Sequence, residues 1–203
     1  MSSISELGSL TDKQSYFDPS EKEGPREKLW EGYYLGNITD MSVTEGVTIR
    51  GKHKADIYNF TVTVHKDNKD NTLKNKSGDE KSGADFVGRE IKSNGVFNFL
   101  VPENREFEAN PGGNESFFRF CQAIGLDVPT KTIGEGDSAR EVHMLPSSLS
   151  QSDCLGKAVN CYVGATKPFT NNSGETITPM KVKLFQKWEG GETMNVLEDE
   201  VPF

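Results

Sequence analysis

Residues 55–65, ADIYNFTVTVH, constrain the architecture of this chain more than any other stretch. Tyr58, Phe60, Val62 and Val64 fall on alternate positions, with Asn59, Thr61 and Thr63 between them. A period of two is the pattern of a strand with one dry face and one wet face. Such a strand needs partners for its backbone groups and cover for its apolar side, so the chain has to build a sheet around it.

Other segments supply that sheet. Residues 29–51, LWEGYYLGNITDMSVTEGVTIRG, are rich in aromatic and β-branched residues and read as a long first strand with a turn or bulge near Glu45 and Gly46. A third strand region runs over 86–101, with Gly95 as a bend. GKAVNCYVGAT places Val159, Cys161 and Val163 on one face. PMKVKLFQKWE alternates Met180, Val182 and Leu184 against Lys181, Lys183, Phe185 and Lys187. One helix stands out between the third and fourth strands. In NESFFRFCQAIGL, Phe117, Phe120, Cys121 and Ile124 form a single stripe, Asn114 or Ser116 can cap the start, and Gly125 can end it. Residues 66–83 are too hydrophilic to pack and read as a polar loop, and 127–155 read as irregular.

The order is three strands, a helix and two strands. A five-stranded Greek-key barrel of the OB-fold type, with its helix between strands three and four, has this order; another small β-barrel or an α+β sandwich accommodates it too. With 33% hydrophobic residues in 203, part of the chain is expected outside the packed body. The expected division is a flexible arm over 1–28, a single domain over 29–188, and an acidic tail over 189–203.

The formal net charge of −8 argues against a polyanionic partner until its distribution is considered. Residues 189–203 hold five acids and no bases, residues 1–31 hold seven acids and four bases, and the remainder is balanced at 19 of each. A neutral body can carry a basic groove.

Three cysteines without a CxxC pair suit a reducing compartment, and three isolated histidines do not make a zinc site. There is no secretory leader at the start and no apolar run of membrane-spanning length, so the expected location is the cytoplasm. The chain has no GxxxxGK[ST], HExxH or GxSxG motif, and PGGNES reads as a turn and cap, so no enzyme, metal or cofactor is expected.

The segment KVKLFQK interleaves Lys181, Lys183, Phe185 and Lys187 on its expected outer face. Single-stranded nucleic acid suits such a surface, because phosphates pair with ammonium groups while bases stack on rings. An ordinary amphipathic strand, with Phe185 covered by the N-terminal arm, explains the same pattern. Lys157 and Tyr162 belong to the expected outer face of the neighbouring strand. Arg50, Lys52 and Lys54 occupy the first turn, and Lys167 and Phe169 the last inter-strand loop, which border the ligand face of an OB barrel. Trp30, Tyr33 and Tyr34 are read chiefly as core. Phe97 and Phe99 point outward if Val96 and Leu100 point inward.

The chain ends in Glu198, Asp199, Glu200, Val201, Pro202 and Phe203. EDEVPF resembles the C-terminal tip of bacterial single-stranded-DNA-binding proteins: acids, an aliphatic residue, proline and a final phenylalanine. The body, through FFRFCQAIGL, GKAVNCYVG and MKVKLFQKW, is similar to the phage-encoded proteins of that function, which are OB-folds. The resemblance implies sequence-independent binding of single-stranded DNA during replication, recombination and repair, in the cytoplasm of a bacterial host. It also implies that the tip recruits replication or repair proteins, with Phe203 in an apolar pocket and its carboxylate against a basic group. A protein-interaction adaptor that never touches DNA is the alternative, and the sequence leaves self-association open.

Overall fold

The computed structural model describes residues 28–51, 53–100 and 114–194. In chain order the strands are β1 Gly32–Ile49, β2 His53–Val64, β3 Thr72–Lys74, β4 Glu80–Ser82, β5 Glu90–Lys92 and β6 Val96–Phe99. The helix α1 Glu115–Ala123 follows, then β7 Thr130–Ile133, β8 Arg140–His143 and the short helix α2 Gln151–Cys154. The last strands are β9 Ala158–Ala165, β10 Phe169–Thr170, β11 Thr176–Ile177 and β12 Met180–Lys187.

The alternating segment is β2, and Tyr58, Phe60, Val62 and Val64 all face the core. β1 lies between β2 and β9, pairing through its first residues with β9 and from Gly36 onward with β2. β12 flanks β9, while β5 and β6 pair successively along the other edge of β2. One register shift falls between Thr44 and Val47, at the expected Glu45–Gly46 position, where Gly46 has a φ of 62°. A second, between Ile38 and Asp40, has no signal in the sequence.

The helix α1 closes the core from one side. Its stripe is buried, with Phe120 stacked on Phe60 at 4.4 Å and Phe117 on Tyr58 at 5.6 Å. Gly125, at a φ of 75°, donates to Gln122 while Leu126 donates to Cys121, which closes the last turn in a Schellman arrangement. Asn114 does not cap through its side chain. Its amide instead pairs with both backbone groups of Phe99, at 2.8 and 3.1 Å, and ties the helix start to β6.

The expected five-stranded barrel with one helix requires correction. The described residues form twelve strands, in one six-stranded antiparallel sheet and three two-stranded sheets, and the large sheet is open. Among the described residues its edges are joined by one parallel bridge, between Ser93 and Val182, with Asn94 N–H donating to the Val182 carbonyl at 2.8 Å. Gly88 and Gly95, both at positive φ, cut the third strand region into two short pieces, leaving no continuous edge for a ladder to β12.

Two expected loops carry structure. Residues 66–83 pack through Leu73, which is fully buried, and through Asn68, whose side chain accepts from Leu35 N–H and donates to the Gly83 carbonyl. Residues 127–155 contain the β7–β8 hairpin and α2. The chain also stays attached beyond 188. Asn37 Nδ2 donates to the Glu192 carbonyl at 3.0 Å, Met194 N–H donates to Gly156 at 2.9 Å, and Gly191 lies tight against Trp188 and Ala158.

Cys121, Cys154 and Cys161 are free and buried. Burial pushes their thiols up to about 11, 12 and 12 respectively, so all three are poor nucleophiles at neutral pH. Among the described residues no helix is long and apolar enough to cross a membrane.

Candidate nucleic-acid interface

The central correction concerns β12. Val182 pairs with Val163 and Leu184 with Tyr162, so Lys183 is an extra residue, a β-bulge. Below the bulge the facing inverts. Phe185 pairs with Cys161 and turns inward, 6% exposed, its ring 5.0 Å from Phe120 and 5.9 Å from Phe60. Leu184 is only half-buried. Strict alternation would have buried Leu184 and exposed Phe185. The bulge instead buries the larger ring, and full burial of such a side chain stabilises by about 1.5–3 kcal/mol. Phe185 is therefore a core residue and cannot stack on a base.

The lysines around it remain on the surface. Val182 points inward, so Lys181 and Lys183 point away from the core. Neither has an ion-pair partner among the described residues. The bridge at Ser93 sets them beside the strand leading to β6. There Val96 and Asn98 face inward, and Phe97 and Phe99 lie half-buried on the outer face, stacked at 6.1 Å with 21° between their planes. Gly95 turns the chain here at a φ of 83°, and a Cβ there would press on Ile57 Cγ2 at 3.0 Å. Gly95 is two residues from the bridge, about 7 Å along the chain. From Ser93 the chain runs four residues to Phe97 and six to Phe99, about 13 and 20 Å if extended, so the outer face carries a ring pair on β6 and two lysines on β12.

On the other side of β12, Tyr162 of β9 faces outward. Its ring lies 5.1 Å from Tyr33 of β1, the residue opposite it in the ladder. Tyr33 is 43% exposed and is not the core ring expected; its neighbour Tyr34 is buried. The alternation of β1 carried that signal, since adjacent residues cannot both face inward. The Tyr162 hydroxyl donates to the Glu31 carboxylate, and this bond, with some burial, holds the phenol up to about 12.

The remaining sequence candidates scatter. Arg50 occupies the tip of the β1–β2 hairpin at a φ of 51°, exposed, and Lys52 lies outside the described residues. Lys54 is exposed, but the register puts it on the opposite face of the hairpin from Phe97 and Phe99, beside Leu100. Lys167 and Phe169 belong to the hairpin arm that continues the β9–β12 ladder. Phe169 is 52% exposed there, opposite Ile177. Lys157 precedes β9 by one residue and lies five residues from Tyr162, about 17 Å along the strand. Lys187 is paired with Glu189 at 3.3 Å. Those two lysines belong to the far end, near Met194, and not to the group around Lys181. Glu198, Asp199, Glu200, Val201, Pro202 and Phe203 lie outside the described residues.

No protein-family model matches this chain, and no curated protein matches it.

Proposed function

We propose that this protein binds single-stranded DNA without sequence preference, across the outer face that joins Phe97 and Phe99 to Lys181 and Lys183. It would coat exposed strands in phage-type replication or recombination, within the host cytoplasm, and carry no catalytic activity of its own. The observation that supports this most directly is a stacked, half-exposed phenylalanine pair on β6 whose leading segment is bridged at Ser93 to β12, which carries two lysines with no acidic partner among the described residues. Rings accept bases of any identity, and ammonium groups track phosphates without reading sequence. The terminal EDEVPF would recruit replication or repair proteins, its acids steering it to a basic rim and Phe203 anchoring it.

The test is fluorescence anisotropy with labelled (dT)20 and a duplex of equal length, over 50–300 mM salt, with and without magnesium. The expected result is preferential binding of the single strand, with log affinity falling linearly against log salt by about 0.7 per phosphate neutralised. The double change Lys181→Ala with Lys183→Ala should lower that slope by about 1.4. Equal affinity for the duplex, no binding at 50 mM salt, or cleavage of the probe with magnesium would each overturn the reading. The second of these is the result expected of a protein-interaction adaptor.

A further inference from the structure

We infer that Tyr33 and Tyr162 form a second base-stacking site, which holds a nucleotide of the same single strand after it has crossed β12. The inference rests on the proposed function and extends it to a part of the sheet where Tyr33 was expected inside.

Four observations converge on this pair. Tyr33 and Tyr162 are direct cross-strand partners on the outer face, and Tyr33 is among the most exposed large rings of the described residues. A base can lie on such a ring. The Tyr162 ring is held in place from two sides. Its hydroxyl is bonded to Glu31 and its ring lies 5.1 Å from that of Tyr33; Tyr162 and Lys183 both border the space over Gly164, where a Cβ would be 3.3 Å from Tyr162 Cε1 and 3.4 Å from Lys183 Cδ. A fixed ring loses little entropy when a base lands on it.

The charges also suit a phosphate chain. Lys183 flanks the pair on the β12 side. Lys76 flanks it on the other, with its ammonium 3.6 Å from Glu31 and its side chain 79% exposed. The Glu31 carboxylate at the pair is already engaged by the Tyr162 hydroxyl and Lys76. Finally, the site continues the interface already described. Lys183 borders Gly164 beside it, and Val182 is bridged to Ser93, from which the chain runs on to Phe97. Farther down the same face, the segment ending at Met194 covers Asn37 and Ala158, so the outer surface still available ends near the tyrosines.

The shape of the ring separates stacking from ordinary packing. With (dT)20 at 100 mM salt, Tyr33→Phe should bind like the unaltered protein. Tyr33→Leu, still apolar but not flat, should bind about tenfold more weakly with the same salt slope, measured well below its melting temperature. Phe97→Leu serves as the reference for the first site. In the full-length protein, irradiation of (dT)20 containing 4-thiothymidine should leave adducts on peptides containing Tyr33 or Tyr162 as well as Phe97. If Phe97→Leu weakens binding while Tyr33→Leu binds normally and no adduct forms at either tyrosine, the second site is refuted and the function stands. If the unaltered protein does not bind (dT)20, both readings fall together.

Discussion

The substitution Phe185→Ala separates a core ring from a stacking ring by the sign of two independent measurements. The side chain is 6% exposed and packs edge-on against Phe120 at 5.0 Å and Phe60 at 5.9 Å, beneath α1. Truncation removes the ring's burial and leaves a void between β12 and the helix that neighbouring rings can only partly fill. Changes of this type cost about 3–5 kcal/mol, a large share of the roughly 5–15 kcal/mol that holds most domains folded. For a domain of this size each kcal/mol moves the midpoint by about 2–4 °C, so the expected drop is on the order of 6–20 °C. A lost base stack would instead weaken binding by about 1–3 kcal/mol and leave the midpoint alone. Thermal denaturation followed by circular dichroism gives the first quantity. Anisotropy with (dT)20, well below the variant's midpoint, gives the second. Phe185→Leu, which keeps much of the volume, ensures that a folded variant is available. A midpoint within a degree of the unaltered protein, combined with weakened binding, would show that the ring stacks on DNA and that the inverted facing of β12 is wrong.

Three further outcomes follow from the geometry. Deleting residues 195–203 should raise affinity for single strands at low salt, with the gain fading as salt screens the tail's acids; unchanged or weaker binding refutes competition between tail and DNA. Gly191→Ala should destabilise by about 1–3 kcal/mol in urea, because its Cβ would lie 2.5 Å from the Trp188 ring and 2.6 Å from Ala158 Cβ; a neutral result would mean that the segment after β12 is not held against the sheet. The Tyr162 phenol is raised in the folded state by its bond to Glu31, so its contribution is fully present below the unfolded value near 10 and is lost as pH climbs through about 12. The stability difference between the unaltered protein and Tyr162→Phe, from urea titrations, should be constant up to about pH 9 and shrink above pH 10; a difference that does not change refutes the bond.

What could be read in the sequence was whatever depends on local period. The faces of β2 and β9, the stripe of α1, the bulge at Glu45–Gly46 and the stop at Gly125 all follow from spacing and glycine. What could not be read depends on distant partners. Leu73 is one aliphatic residue in a polar stretch, and only the pocket it enters makes 66–83 a folded hairpin. The β7 and β8 strands have almost no buried face, so no alternation marks them. The open sheet follows from the shortness of β5 and β6 and the single bridge to β12, none of which a count of strands reveals. The bulge at Lys183 has no glycine to announce it. It forms because Cys161, Phe60 and Phe120 present a space that fits Phe185 better than Leu184.

That one residue also decides what the surface can do. Without the bulge, β12 would present Lys181, Lys183, Phe185 and Lys187 in a row and would bury Leu184 beneath α1. With it, the ring leaves the surface, but Lys183 is lifted beside Gly164, which Tyr162 also borders. Lys187 falls to the far end and pairs with Glu189. The flat surfaces therefore come from other strands, Phe97 and Phe99 on β6 and Tyr33 and Tyr162 on β1 and β9, while β12 contributes cations. Charge and stacking then reside on separate strands. It follows that lysine changes should alter the salt slope, ring changes should alter affinity at constant slope, and the two should combine additively where their side chains do not touch. Lys183 and Tyr162 both border the space over Gly164, so that pair should depart from additivity.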